Sequence, residues 1–230
     1  MTKNARAIAT LLGATLTATV LEAAPPGFRL AATTPHFVFY TRGNASVEPK
    51  QAERFLTEVE TQLGHDVTGV SEYYRYERPE DLSVLTGEYT TGLTYADSGQ
   101  IHSSLGVHRH EIVHLVAGKL GSPARFFQEG LAVVMGDGGR LWGQEVDRIV
   151  RGMARVPGVS DLATQFNRYD SRISYPVAGS FVSHLIKKYG MPRIADFFRR
   201  STQGAQTEAT FAAAFGTSLA QVEAEWRASL

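Results

Sequence analysis

The sequence predicts an α+β fold, in which a small mixed sheet and one motif-bearing helix are followed by an all-helical second half. Short segments rich in alternating aromatic and β-branched residues, which are typical of strands, lie before residue 105. After residue 109 the apolar residues recur every three or four positions, as in amphipathic helices. A chain of 230 residues, 43% of them hydrophobic, can bury the core of one folded domain.

The first half shows strand and helix patterns in alternation. The predicted elements are a strand at 36–41, a helix at 48–63, a strand at 73–76, a short helix at 79–85, and strands at 92–96 and 100–104. The last two strands flank Asp97, Ser98 and Gly99, which together predict a hairpin turn. The aromatic run at 73–76 could instead be a binding surface, but core packing of a strand is the better account.

The next predicted helix contains the motif HEIVH at residues 110–114. His110 and His114 are four residues apart, so they lie on one helical face with Cβ atoms about 6 Å apart. Two imidazoles at that spacing can bind one zinc ion. Glu111 points beside such an ion, where it can act as a general base toward a zinc-activated water. The alternative is a chance motif in a structural helix.

Glu129 is the candidate third zinc ligand. The stretch at 117–123 contains a helix-ending glycine, a serine that can cap a helix and a proline suited to a first turn. The motif helix should therefore end near Lys119, and a second helix should run from about residue 123 to 135. Two antiparallel helices would bring Glu129 over the histidine pair, with Gly130 allowing close packing. The predicted metal site is then His110, His114 and Glu129.

The remainder of the chain predicts one loop and several helices. The loop at 136–140 does not match a phosphate-binding glycine motif. Helices are predicted at 141–154, 176–188, 192–200, 207–215 and from about 218 to the end, with a turn at 156–159. Ser218 and Gln221 have the spacing of a capping box for the last helix.

The other histidines carry weaker signals. His108 should be a surface or cleft-edge residue rather than a ligand, because it points to another side of the helix from His110. His102 lies on the predicted hairpin, where it could touch substrate. His184 shares an apolar helix and should be packed or exposed, whereas His36 and His65 show no pattern.

Composition excludes several classes of function. Lys plus Arg equals Asp plus Glu, at 23 each, which argues against a nucleic-acid-binding protein. The chain has no cysteine, so a zinc site must use histidine and carboxylate ligands.

Residues 1–30 are predicted to be a signal peptide or an N-terminal extension. Lys3 and Arg6 precede an apolar stretch of small residues, which is followed by Ala23, Ala24 and two prolines. That order predicts a secretory signal and an exported protein, secreted or in the cell envelope. The alternative is a helical extension packed on the domain of a cytoplasmic protein. No stable membrane span is expected, because the apolar stretch is too short and too polar at its end.

The motif HEIVH and the segment FQEGLA at 127–132 resemble gluzincin-type zinc metallopeptidases, and most closely the compact peptidase MA-like bacterial domains. Weaker similarity lies in PHFVFY at 35–40, in YPVAGSFV at 175–182 and near residues 218–226. The resemblance covers about residues 33–230 and implies a zincin-like metallopeptidase domain over 31–230. One departure is that Ala132, Val133 and Val134 stand where some gluzincins have an acidic residue that supports a zinc-bound histidine.

The resemblance also indicates a donor for the developing oxyanion. Tyr175 matches the family's tyrosine position and is expected at the start of the helix at 176–188, facing the cleft. The alternative is a tyrosine that packs locally. His184 is the weaker candidate for the donor, since it shares its helix with core residues.

Together these features predict a zinc-dependent peptidase that acts on a peptide or protein substrate, with Glu111 as the general base. The strand near residues 92–96, or its hairpin partner, could pair with an extended peptide. Two alternatives remain open at this stage: a catalytically silent module of the same fold that binds a protein or peptide, and a zinc hydrolase of a non-peptide amide or ester.

Overall fold

The fold is a mixed α+β arrangement in which a five-stranded sheet precedes a largely helical half. The computed structural model describes residues 24–87, 89–202 and 207–230. The elements are β1 (Arg29–Thr33), β2 (Phe37–Thr41), α1 (Pro49–Leu63), β3 (Ser71–Arg75), α2 (Pro79–Thr86), β4 (Gly92–Tyr95), β5 (Gln100–Ser103), α3 (Arg109–Leu120), α4 (Arg125–Met135), β6 (Arg140–Leu141), β7 (Gln144–Glu145), α5 (Val146–Arg151), α6 (Val159–Gln165), a 3₁₀ turn (Phe166–Arg168), α7 (Ser171–Tyr189), α8 (Met191–Arg200), α9 (Thr207–Phe215) and α10 (Leu219–Ser229).

Residues 1–30 were predicted to be a signal peptide or an extension. Of these, residues 1–23 lie outside the described residues. Strand β1 begins at Arg29, two residues before the predicted domain boundary. Within the described ranges, no helix is both long enough and apolar enough to cross a membrane.

The main sheet has the strand order β1-β2-β3-β5-β4. Strands β2, β3 and β5 are parallel, whereas β1 and β4 pair antiparallel with their neighbours at the two edges. Parallel neighbours need a crossover, and α1 provides it between β2 and β3. The hairpin predicted from residues 97–99 is confirmed, and it leaves β4 as an edge strand.

The two faces of the sheet are buried differently. The inner face contributes Phe37, Phe39, Tyr73 and Ile101 to the main core, which also contains buried residues of α1, α3, α4 and α7. The outer face forms a second cluster of Tyr40, Tyr74, Tyr76 and Leu82, covered in part by Phe28. The strand predicted at 73–76 is therefore confirmed, and its aromatic residues are packed on both faces.

Helices α4 and α7 pack closely because glycines stand at their contact. A Cβ atom on Gly130 would lie 2.5 Å from the carbonyl oxygen of Ala178, and one on Gly179 would lie 2.6 Å from Cγ1 of Val133. A buried hydrogen-bond chain joins neighbouring helices: Trp226 Nε1 donates to Ser180 Oγ at 3.0 Å, and Ser180 Oγ donates to Asp147 Oδ1 at 2.6 Å. The close packing fixes the position of α4, which carries Glu129.

The prediction of a helix at 141–154 is wrong for residues 141–145. A hairpin, β6-β7, occupies 140–145, and α5 begins only at Val146. Trp142 and Gly143 form the hairpin turn, with φ values of 49° and 78°. A right-handed helix cannot continue through residues with positive φ. The second half is therefore not all-helical. Helix α6 and strand β1 were also not predicted, the latter because its residues are mostly exposed and show no alternation.

One predicted helix start and one predicted cap are also wrong. Helix α7 begins at Ser171 rather than at Pro176, because Asp170 caps it by accepting a hydrogen bond from the Arg172 backbone N–H at 2.8 Å. Pro176 is tolerated inside the helix, so Tyr175 lies within it rather than at its start. Helix α4 begins at Arg125 with Ala124 at the N-cap, so the predicted serine cap is not used.

We expect Gly130→Ala to lower the free energy of unfolding by about 1–3 kcal/mol. The added methyl group would overpack the α4–α7 contact, and this outweighs the roughly 1 kcal/mol that alanine gains in a helix interior. Chemical denaturation measures the change. Gly152→Ala is the matched control, because its Cβ would lie an ordinary 3.4 Å from the nearest atom. Equal stability of the two variants would show that the helices can separate without cost.

Candidate metal centre

Helix α3 presents two histidines on the side that faces α4. His110 and His114 lie one turn apart, and their ring centroids are 4.9 Å from each other with the ring planes at 71°. The helix begins at Arg109 and ends at Leu120, close to the predicted bounds. Both side chains are largely buried, at 12% and 18% exposure, so their nitrogens face a protected site rather than bulk solvent.

Glu129 on α4 completes a cluster with the two histidines. Its Oε2 atom lies 3.1 Å from Nε2 of His110 and 3.3 Å from Nε2 of His114. One ligand atom from each of the three residues lies within 4.8 Å of the others. This is the arrangement that the sequence predicted, and these residues could hold a metal ion.

Arg125 occupies the other oxygen of Glu129. Its Nε donates to Oε1 at 2.9 Å from the preceding turn of α4. The guanidinium thereby orients the carboxylate so that Oε2 faces the histidines. Glu129 is consequently presented as a ligand through a single oxygen.

The charges in the cluster favour a cation. Burial lowers the pKa of His110, but hydrogen bonds to Asp137 and Glu129 outweigh it and raise that pKa to about 10. Burial raises the pKa of Glu129, yet hydrogen bonds with His110 and His114 outweigh it and hold that pKa well below its usual range. The site therefore attracts positive charge, which a proton or a divalent cation can supply, and metal binding would release protons.

Asp137 is the carboxylate partner of His110 that the sequence analysis did not assign. Its Oδ2 accepts a hydrogen bond from Nδ1 of His110 at 2.7 Å. When a cation replaces the proton on Nε2, the hydrogen bond from Nδ1 to Asp137 leaves Nε2 as the ligand atom, which is the tautomer a metal ligand requires. The neighbouring Gly136 permits this approach, because a Cβ there would lie 2.6 Å from the backbone N of His110.

Glu111 lies on the cleft side of α3 and contacts the edge strand. Thr94 Oγ1 of β4 donates to Oε2 of Glu111 at 2.7 Å, and the same hydroxyl lies 3.0 Å from the Glu111 backbone oxygen. Gly92 at the start of β4 leaves room for this contact, because a Cβ there would clash with His108 and Glu111. The edge strand thus holds the carboxylate beside the cluster of His110, His114 and Glu129.

An open cleft of about 1070 Å³ lies over these residues. Strand β4 contributes Gly92, Leu93 and Thr94 to one wall, and the free edge of the sheet is therefore accessible from the cleft. Arg125 and Tyr175 contribute to the lining from the helical half. The cleft combines an extended backbone edge with a cluster of titratable side chains.

Tyr175 reaches the cleft from the second turn of α7. Its ring centroid lies 6.4 Å from that of His110 and 5.4 Å from that of Phe166. Burial and the Glu129 charge raise the pKa of Tyr175 to about 12, although Arg125 beside the hydroxyl opposes the shift. The phenol is therefore protonated at neutral pH and can donate a hydrogen bond into the cleft.

Of the remaining histidines, His102 lies where the sequence analysis did not place it, whereas the cleft position predicted as one alternative for His108 is confirmed. His102 does not line the cleft: it is buried on the outer face of the sheet, hydrogen-bonded to Tyr76 at 2.9 Å and stacked on Tyr74. His108 lines the cleft but is buried rather than on the surface, with Nδ1 2.9 Å from Ser103 Oγ, and burial lowers its pKa.

His184 does not line the cleft. It is half-buried, and its Nδ1 lies 3.5 Å from Ser229 Oγ. His184 lies against α10, away from the cluster of His110, His114 and Glu129. This removes the weaker of the two predicted oxyanion donors and leaves Tyr175.

The five predicted site residues all line one cleft: His110, Glu111, His114, Glu129 and Tyr175.

Comparison of the chain with protein-family models and with curated protein sequences finds no match. Three residues that sequence analysis missed complete the site, namely Thr94, Arg125 and Asp137. An aspartate in a glycine-rich loop directly after α4 was the one sequence signal for Asp137, whereas Thr94 and Arg125 carried none.

We expect Asp137→Ala to weaken the affinity for Zn²⁺ by about 10–100-fold, the usual effect of removing the carboxylate partner of a histidine ligand. Competition with a chromophoric chelator measures the dissociation constant. Asp97→Ala, an exposed carboxylate outside the cleft lining, is the matched control and should bind like the wild type. Equal affinity of the two variants would mean that Asp137 does not orient a ligand.

Proposed function

We propose that the protein is a zinc-dependent peptidase with a zincin-like fold. The proposal rests above all on one observation: the ligand atoms of His110, His114 and Glu129 lie within 4.8 Å of one another, beside Glu111, in an open cleft. The motif resemblance to gluzincins supports the same assignment.

The donor set fits zinc. Two imidazole nitrogens and one carboxylate oxygen are a known set of three protein ligands for catalytic zinc, and they leave a fourth position for a reactant. When bound, the zinc would supply Lewis acidity, which acidifies a water and polarises a carbonyl group. The other contributions come from side chains of this chain.

Glu111 is the proposed general base. It is one residue from the first histidine ligand, and its carboxylate is oriented by the hydroxyl of Thr94. From this position it takes a proton from the attacking water and passes it to the leaving amine. The hydrogen bond from Thr94 restricts the carboxylate to one orientation, which limits the reorganisation that proton transfer requires.

The shape of the cleft favours a peptide over a small ester or amide. Strand β4 is an edge strand, so its unpaired backbone groups can hydrogen-bond an extended chain by strand addition. The volume of about 1070 Å³ lies at the upper limit of the 300–1,000 Å³ that is usual for small-molecule pockets. An extended polypeptide along β4 would pass directly over Glu111 and the metal cluster.

Tyr175 is the proposed donor to the oxyanion. Its hydroxyl is protonated at neutral pH, and it enters the cleft from the side opposite to the sheet. Arg125 lies beside it and can hold the phenol in place. A carbonyl oxygen polarised in the cleft could then receive a hydrogen bond as its negative charge develops.

The proposed function is tested with purified protein and a random peptide library. We expect chelator-sensitive cleavage by the wild type and a loss of at least 10²–10⁴-fold in Glu111→Gln, which cannot accept the proton. Zinc content and melting temperature should not change, because the amide is nearly isosteric. Glu58→Gln on the exposed side of α1 is the control.

Near-normal cleavage by Glu111→Gln would exclude Glu111 as the base. Zinc binding without cleavage of any peptide by the wild type would favour a non-peptide substrate or a silent binding module. An absence of zinc from the wild type would contradict the proposal as a whole.

Tyr175→Phe should lower kcat by about 10²–10³-fold while KM, zinc content and stability change little, because one donor to the transition state is lost. The control is Tyr189→Phe, which removes a hydroxyl from the same helix at a site away from the cleft. Steady-state kinetics on one validated peptide separates kcat from KM. If the two variants behave alike, Tyr175 is a packing residue.

A further inference from the structure

Trp142 has an unusual backbone conformation at the tip of the β6-β7 hairpin. Among the described residues, it is the only non-glycine residue with positive φ, at 49°. The two-residue turn Trp142-Gly143 requires left-handed backbone at both positions, for which asparagine followed by glycine is the preferred pair. A bulky residue with positive φ is an outlier, and such outliers cluster at sites of function.

The rest of the hairpin holds the tip in this conformation. Arg140 Nη2 donates to the carbonyl oxygen of Gly143 at 2.6 Å, across the turn. At the base, the backbone N–H of Val146 donates to the carbonyl oxygen of Gly139 at 3.0 Å, and that of Gly139 donates to Val133 in α4 at 2.9 Å. The hairpin is therefore tied to the helix that carries Glu129.

Among the residues that the structure describes, no core packing of the Trp142 ring explains its conformation. Its side chain is 61% exposed and belongs to neither hydrophobic core cluster. It lines the cleft over the metal cluster together with Leu141 and with Tyr89, which is 73% exposed. Tyr89 reaches the cleft from the segment that leads into β4, so two exposed aromatic residues come from separate parts of the fold.

We propose that Trp142, together with Tyr89, forms an apolar subsite that selects a large apolar or aromatic side chain of the peptide substrate. This inference rests on the proposed peptidase function and adds its specificity. A substrate side chain packed on these exposed rings would bury apolar surface that is otherwise in water. Both residues line the same cleft as β4, along which the main chain of the same peptide would lie.

The test compares Trp142→Asn with Trp142→Phe in the full chain. Asparagine suits the left-handed turn, so the melting temperature should stay equal or rise while the ring is lost. We expect the ratio of kcat/KM for peptides with phenylalanine or leucine to that for alanine peptides to fall at least tenfold in Trp142→Asn. Trp142→Phe keeps an aromatic ring and should retain most of the preference.

Peptide binding provides a readout that does not need turnover. The chain has two tryptophans, and Trp226 is buried, so a peptide-dependent change in emission from Glu111→Gln reports on Trp142. Phenylalanine-containing peptides should shift the emission, and the shift should be absent in the double variant Glu111→Gln/Trp142→Asn.

Several results would overturn the subsite. An unchanged peptide preference in Trp142→Asn would do so while leaving the peptidase assignment intact. Emission that responds to phosphatidylcholine vesicles but not to peptides would assign the ring to a lipid surface instead. If the wild type cleaves no peptide, the peptidase proposal fails, and the emission titration alone decides whether Trp142 contacts apolar peptides.

Discussion

The contact of one carboxylate oxygen with two imidazole nitrogens determines how this molecule is built around its cleft. Oε2 of Glu129 lies 3.1 Å and 3.3 Å from the histidine nitrogens, so α3 and α4 must pack within a narrow range of distance and rotation. Glycines allow α4 to occupy this position. A side chain on Gly130 would push α4 away from α7, and one on Gly136 would collide with His110 of α3. The buried charges are tolerated only because they are paired or can coordinate a cation.

The segment after α4 connects the cluster of His110, His114 and Glu129 to the surface of the cleft. At its base, Asp137 sets the tautomer of His110, and at its tip the hairpin exposes Trp142. Asp137 lies in the loop predicted at 136–140, whereas Trp142 lies where a helix was wrongly predicted. The sheet contributes from the other side, where Thr94 of the edge strand holds Glu111. The proposed base, the candidate metal ligands and the free strand edge are thus positioned by packed elements of the fold.

Those parts of the site that depend on residue spacing along the chain could be predicted from the sequence. His110 and His114 share a helical face by their spacing, and Glu129 follows a recognisable turn. Thr94 and Arg125 could not be predicted, because neither their spacing nor their residue type distinguishes them before the chain is folded. The start of α7 was misplaced because proline usually marks a first turn, whereas here the cap at Asp170 sets the start five residues earlier. The β6-β7 hairpin was missed because a tryptophan at positive φ runs against intrinsic preference.

The most direct measurement of the central claim is anomalous diffraction at the zinc absorption edge from crystals of the zinc-reconstituted protein. If these residues bind zinc, one strong peak per chain is expected within about 2.0–2.2 Å of Nε2 of His110, Nε2 of His114 and Oε2 of Glu129. A peak elsewhere, or no peak at these three atoms in zinc-saturated protein, would contradict the assignment of the cluster as a catalytic metal centre.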